Sequence, residues 1–214
     1  EHIMLCPYCI SEIAGDAEQS QPLALDLLRW SRAIGHGGLI SDALKGHAYA
    51  RAAIEALERQ HAEWNDAQLK DAEAILRSLV DPSESAQTIV ERDAAFVIGR
   101  HDLLQRIALQ AAANAQIPQS IARLQRAQQE MTAAVQILRL RIAVRRYQLE
   151  HETALPGRLE DLAPRYLDKA PIDPTSQKPF VYERDVASYA IRRPPADRPT
   201  DEGRKEPVTE AEVE

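Results

Sequence analysis

Aromatic side chains make up only 5% of this 214-residue sequence, so apolar burial falls to aliphatic residues and conspicuously many alanines, a mixture that favours helices. Cysteine is scarce, with two residues, but a chain of this length can bury a full-sized core without disulfide staples, with or without a small appendage. Basic residues are not in excess: 26 Lys and Arg stand against 33 Asp and Glu, a formal net charge of -7. That balance gives no general attraction to phosphate, so nucleic acid is not expected as a partner. Nor is there an uninterrupted apolar run. The longest candidate, Leu39 to Leu57, is broken by Asp42, Lys45, His47, Arg51 and Glu55, each costly in hydrocarbon, and no transmembrane segment is expected. GxSxG, the Walker phosphate loop, GxGxxG and HExxH are all missing, which removes the common signatures of hydrolase, nucleotide and zinc-protease chemistry.

What is present is helical periodicity. Residues 1–21 read as an arm that carries both cysteines and a polar run, and the sequence opens at Glu1 with no methionine, which leaves room for an upstream segment. A helical domain is expected over 22–150. Pro22 suits a first turn, Leu25, Leu28 and Ile34 follow at helical spacing, and Gly35-His36-Gly37-Gly38 breaks the pattern. A second helix runs from Ile40 through Ile54 and Leu57 to Trp64. Asn65 and Asp66 mark the start of a third with Leu69, Ala72, Leu76 and Leu79 on one face, stopped by Asp81-Pro82. Ser83 or Ser85 caps a fourth that carries Ile89, Val90, Phe96 and Val97 and continues past Gly99 through Leu104 and Ile107 towards Ala115. Pro118 then opens the longest pattern, with Leu124, Gln128, Met131, Val135, Leu138, Ile142, Arg145 and Leu149 alternately four and three apart. A second stripe of Ile137, Leu140, Val144 and Tyr147 widens the apolar face, so this helix is expected to pack in a core.

Past Pro156-Gly157 the prolines forbid another long helix. A short helical segment is expected at Leu159 to Leu162, and Phe180-Val181-Tyr182 with Ser188-Tyr189-Ala190-Ile191 form a small hairpin, which makes 151–193 a C-terminal module. Residues 194–214 are proline-rich and acidic with few large apolar groups, the composition of an extended tail. The expected class is therefore mainly α: a helical bundle or stacked helical hairpins, with a long helix leading into a small two-stranded module and extended termini.

Cys6-Pro7-Tyr8-Cys9 resembles the active-site tetrapeptide of glutaredoxins, where a CxxC pair at a helix start supports thiol exchange. No alternation of strands and helices surrounds it, which leaves open a structural disulfide, half of a zinc site, or redox chemistry. Glu58 and His61 have ExxH spacing, but no second ExxH exists to complete a di-iron bundle. His36, His47, His101 and His151 are scattered without ligand spacing. No metal and no cofactor is assigned. Arg123, Arg126, Arg139, Arg141, Arg145 and Arg146 make the long helix locally basic. Arg139, Arg141, Arg145 and Arg146 are candidate contacts for an acidic partner or the chain's own acidic tail, against the plainer expectation of a solvated face.

The run Ala143-Val144-Arg145-Arg146-Tyr147-Gln148-Leu149-Glu150-His151 is followed by Leu155-Pro156, Leu159-Glu160-Asp161-Leu162, Tyr166-Leu167, Pro171-Ile172-Asp173-Pro174 and Lys178-Pro179-Phe180-Val181-Tyr182. This order, from Leu138 to Ile191, resembles the periplasmic part of type II secretion pseudopilins. The same layout, with Gly38-Leu39-Ile40-Ser41 and Ala48 to Leu57, is similar to a group of uncharacterised exported bacterial proteins that are mainly helical. The resemblance implies an exported, periplasmic or extracellular protein whose C-terminal module packs on the long helix. It does not imply a pilus subunit, because the long helix starts internally and no processed hydrophobic helix precedes it. The loop between Pro171 and Pro179 lies where major pseudopilins can bind calcium, but Asp173 is its only carboxylate, so the metal is not carried over. The function expected is a non-catalytic structural or interaction protein, a subunit of a larger extracytoplasmic assembly with other protein subunits as partners, membrane-associated through them if at all. The alternatives are a thiol-disulfide oxidoreductase using Cys6 and Cys9, or a metal-binding accessory protein.

Overall fold

A computed structural model describes residues 17–80, 84–186 and 188–195. The fold is mainly α, with five helices among the described residues: α1 (Ala17–Gly35), α2 (Ile40–Gln60), α3 (Asp66–Ser78), α4 (Ala86–Gly99) and the long α5 (Leu103–Glu150). A 3-10 turn follows α2 at His61–Glu63, another spans Leu159–Leu162, and two strands, β1 (Val181–Arg184) and β2 (Tyr189–Arg192), close the described chain. The strands form one antiparallel pair with Tyr182 opposite Ile191 and Arg184 opposite Tyr189.

Local chemistry sets most of the boundaries. Asn65 and Gln68 exchange side-chain to backbone hydrogen bonds at 3.0 Å each at the start of α3, a reciprocal cap that satisfies two end groups at once. Of the two serines that could start α4, Ser85 does so, its hydroxyl accepting from the Thr88 N–H at 3.1 Å. Gly37 turns the chain between α1 and α2 at φ 71°, a left-handed conformation that glycine adopts at little cost.

Three boundaries differ from the sequence reading. The first helix starts at Ala17, inside the expected arm, with Pro22 within it and not in its first turn. The fourth ends at Gly99 and does not continue towards Ala115. The long helix opens at Leu103 and runs through Pro118 without stopping. An interior proline forfeits one hydrogen bond and costs roughly 3 kcal/mol, and here Pro118 is exposed. The competing break at Gly99 to Asp102 is the stronger stop, because a helix-weakening glycine is followed by Asp102, whose carboxylate accepts the Gln105 N–H at 3.0 Å and caps α5.

The main core lies where α1, α2, α3 and the second half of α5 meet, with Leu28, Leu57, Leu69, Leu76, Val135 and Leu138 fully buried. A second cluster packs the C-terminal module on the end of α5 through Leu140, Val144, Leu162, Tyr166, Phe180 and Ile191. A third, smaller one seats the root of α4 on α2 and α5 through Ala86, Ile89, Val90, Ala43 and Leu124. The α1 and α2 axes approach closely at Gly46, where a Cβ would lie 2.6 Å from the Ser31 carbonyl oxygen. Overpacking of that kind costs about 1 to 3 kcal/mol, and alanine recovers about 1 kcal/mol of helix propensity. Gly46→Ala is therefore expected to lower stability by about 1 kcal/mol; a urea midpoint at or above that of the parent chain would show that the helices part freely.

Candidate interaction surface

The four arginines singled out in the sequence are drawn inward. Arg139 is buried and donates twice to Oε1 of Glu73, at 2.6 and 2.9 Å, and once to Gln136 at 3.1 Å. Arg141 pairs with Glu58 at 2.9 Å. Arg146 pairs with Asp66 at 2.9 Å while its guanidinium lies 5.5 Å from the centre of the Tyr166 ring. The Arg145 Nε is buried with no hydrogen-bond partner. Arg139, Arg141 and Arg146 therefore tie α5 to α2 and α3, where the sequence offers a partner contact or a solvated face. Lys70 first and Arg146 second hold the Asp66 carboxyl below its ordinary value, whereas burial pushes Glu73 up against the opposing pull of Arg139. The acidic tail beyond residue 195 lies outside the described residues, as do Cys6 and Cys9.

The ExxH pair resolves into two unrelated contacts. Glu58 gives its carboxylate to Arg141, and the His61 Nδ1 sits 2.7 Å from the Glu58 carbonyl oxygen. Among the described residues no three His, Cys, Asp or Glu side chains gather in a way that could hold a metal. His47 lines a cavity of about 80 Å³ together with Ser31, Glu84, Gln128 and Thr132. Burial lowers the His47 pKa, and its Nδ1 has no partner. The neighbours are already committed: Ser31 donates to the Leu28 carbonyl at 2.7 Å, and Glu84 accepts from Arg92 and from the Gly37 N–H at 3.0 Å. That ion pair does structural work. It locks the root of α4 against the turn between α1 and α2, where Arg92 also donates to the Gly38 carbonyl at 2.8 Å.

Beyond that root, α4 and the first part of α5 form an antiparallel helical hairpin. From 91 to 123 none of the described residues is buried. Along its length runs an open groove of about 300 Å³ lined by Val90, Ala94, Val97, Leu109, Ala112 and Ala113. Large apolar side chains are exposed on the hairpin: Phe96 is 49% exposed, Leu103 73% and Ile107 63%, and Val97, on the groove wall, 43%. Leu103 and Ile107 are one turn apart and share a helix face.

No family model, curated protein or solved structure matches the chain.

The hairpin is thus the part of the molecule whose surface chemistry is least accounted for by its own packing. Helices draw most of their stability in water from burying an amphipathic face, and these two bury theirs only at the root. The sequence reading put Phe96 and Val97 on the same helix as Ile89 and Val90, continuing through Ile107, without assigning them a buried or an exposed face. The signal that separates this stretch from the rest of α5 is its flanking chemistry: from Leu103 to Ile121 alanine and neutral amides fill the helix and Arg106 is the one charge.

Outside the hairpin, Leu23 and Trp30 on α1 are exposed to a similar degree, at 47% and 51%. Among the described residues no helix is long and apolar enough to cross a membrane.

Proposed function

We propose that the protein is a non-catalytic structural or interaction subunit of a larger extracytoplasmic assembly, with the helical body as scaffold and the α4–α5 hairpin as the contact. The observation that carries this reading is the hairpin itself, whose described residues from 91 to 123 include none that is buried while four large apolar side chains face outward. An apolar patch of that kind on a folded chain marks a site of association. The extracytoplasmic setting is supported by the layout from Leu138 to Ile191, a long helix that carries a proline-bounded turn and a small strand pair packed back on it. The test is a photo-crosslinking residue placed at Ile107 in the native organism, followed by fractionation. Covalent adducts to a polypeptide in the envelope or exported fraction are expected. A chain that stays in the cytoplasmic fraction and yields no adduct would remove both parts of the reading.

A further inference from the structure

Arg139, Arg141 and Arg146 each meet a carboxylate from another helix, and Arg145 does not. Arg145 is half-buried, and among the described residues it makes no ion pair, no hydrogen bond and no contact with a ring face. Its Nε is shielded from solvent and has no acceptor. A guanidinium keeps its charge at any ordinary pH, so holding one out of water with nothing opposite it costs stability that a neutral side chain would not. We propose that the surroundings of Arg145 are a binding site for a small oxyanion, a carboxylate or a phosphate, held in the fork of that guanidinium. The site is separate from the hairpin, and it stands or falls independently of the interaction reading above.

What surrounds Arg145 selects an anion. Arg141 lies one turn away on the same face of α5, and α5 packs on the 3-10 turn that follows α2 and on β2. The turn supplies His61, whose Nδ1 is 2.7 Å from the Glu58 carbonyl oxygen. A carbonyl only accepts, so Nδ1 carries the proton and Nε2 is the bare nitrogen of the neutral ring. The strand supplies Tyr189, half-buried, whose hydroxyl makes no hydrogen bond to a described residue. Both side chains lie in the field of the two arginines. Burial lowers the His61 pKa and Arg141 and Arg145 lower it further, whereas burial raises that of Tyr189 against the pull of the same two groups.

The acids at the end of α2 and in the turn leave Arg145 unanswered. Glu58 is taken by Arg141 at 2.9 Å, and Glu63 is exposed and makes no ion pair with a described residue. The site therefore offers N–H and O–H donors under an uncompensated positive charge. A cation would add to that charge and a neutral ligand would leave it standing. A carboxylate or phosphate cancels it, and the planar fork matches two of its oxygens at once. An anion there also counters the effect of the arginines on His61, so the ring takes up its second proton at a higher pH when the site is filled.

The experiment is an NMR titration of the full chain with sodium phosphate and, separately, sodium acetate, each against sodium chloride at matched ionic strength. The expected result is a shift of the Arg145 Nε–H signal, a higher titration point for His61, and a melting temperature raised by about 3 to 6 °C at ten times the dissociation constant. The anion that acts at the lower concentration gives the class of ligand, carboxylate for acetate and phosphoryl for phosphate. Arg145→Met keeps the stem and removes the charge. It should abolish the thermal response and, with no anion added, raise the His61 titration point by itself. Arg123→Met, at an exposed position on the same helix, should respond as the parent chain does. Equal effects from chloride, or a thermal response that persists in Arg145→Met, overturn the proposal. So does an Arg145 signal that ignores both anions and moves only on Glu63→Gln, which would assign the fork to that side chain.

Discussion

Asp173→Ala is expected to cost about 3 to 5 kcal/mol, the range seen when one partner of a buried ion pair is removed. The Asp173 carboxylate is 1% exposed and serves as the organising acceptor of the loop before β1. It takes the Ser176 N–H at 2.8 Å and the Ser176 hydroxyl at 2.9 Å, and the Arg193 guanidinium reaches it at 2.7 and 3.3 Å. Arg193 in turn holds the Thr175 hydroxyl at 2.6 Å, so one arginine just past β2 pins the loop that precedes β1. Burial alone would raise the Asp173 pKa, but Arg193 and Ser176 outweigh it and hold the carboxyl below its ordinary value of 3.8. A folded value below the unfolded one gives stability that is complete above about pH 4 and lost as pH falls through the lowered value. Arg193→Ala should be milder, because its side chain is 37% exposed and water can partly replace it. The readout is hydrogen exchange of residues 172–192 with the helical amides as reference. Unchanged protection in Asp173→Ala would show that the small module is held by Phe180, Ile191 and Leu162 alone.

Arg139→Ala is expected to lower stability by about 3 kcal/mol, for the same reason in the main body. Its two bonds to Glu73 Oε1 are the described partners of that carboxylate, and Oε2 is buried with none. Without the arginine the carboxylate is left charged in a half-buried site or must take up a proton. Burial already places the Glu73 pKa above its ordinary value of 4.5, and losing Arg139 moves it further in the same direction. A raised carboxyl binds its proton in the folded chain before the unfolded one, so stability falls as pH rises through the window that opens near 4.5. The deficit of Arg139→Ala should therefore be smaller at pH 5 than at pH 8. Arg139→Met with Glu73→Leu removes both charges and keeps the volume, and replacements of that kind are often neutral or stabilising. Chemical denaturation of the single and double variants at both pH values checks this. A double variant as weak as Arg139→Ala would show that the geometry of the pair, and not the stranded charge, is what the fold needs.

The ion pairs show what could be read in advance. Glu73 and Asp66 are seven residues apart on α3, and Arg139 and Arg146 are seven apart on α5, running the opposite way. Two turns on each helix bring the pairs into register for an antiparallel contact. That spacing is in the sequence, but so are Arg123 and Arg126 on the same helix, which are exposed. Helix propensity and periodicity do not say which arginine meets an acid, because the acid comes from an element more than sixty residues away.

The sequence by itself determined the mainly α class, the helical periods of α2, α3 and the second half of α5, the start of α3 at Asn65 and Asp66, the start of α4 at one of Ser83 and Ser85, and the strand pair after Phe180. Each is a local matter of spacing, capping and turn chemistry within a few residues. The tertiary structure decided where competing local signals yield. Pro118 is carried through the helix because the stop at Gly99 and the Asp102 cap lie upstream. Arg139 and Arg146 turn inward because α3 lies against that face of α5. Phe96, Val97 and Ile107 remain outside because α4 and the first half of α5 have only each other to pack against beyond their root. An apolar stripe states that a helix has a face to bury, and only the arrangement of the whole chain settles whether anything in the same molecule is there to cover it.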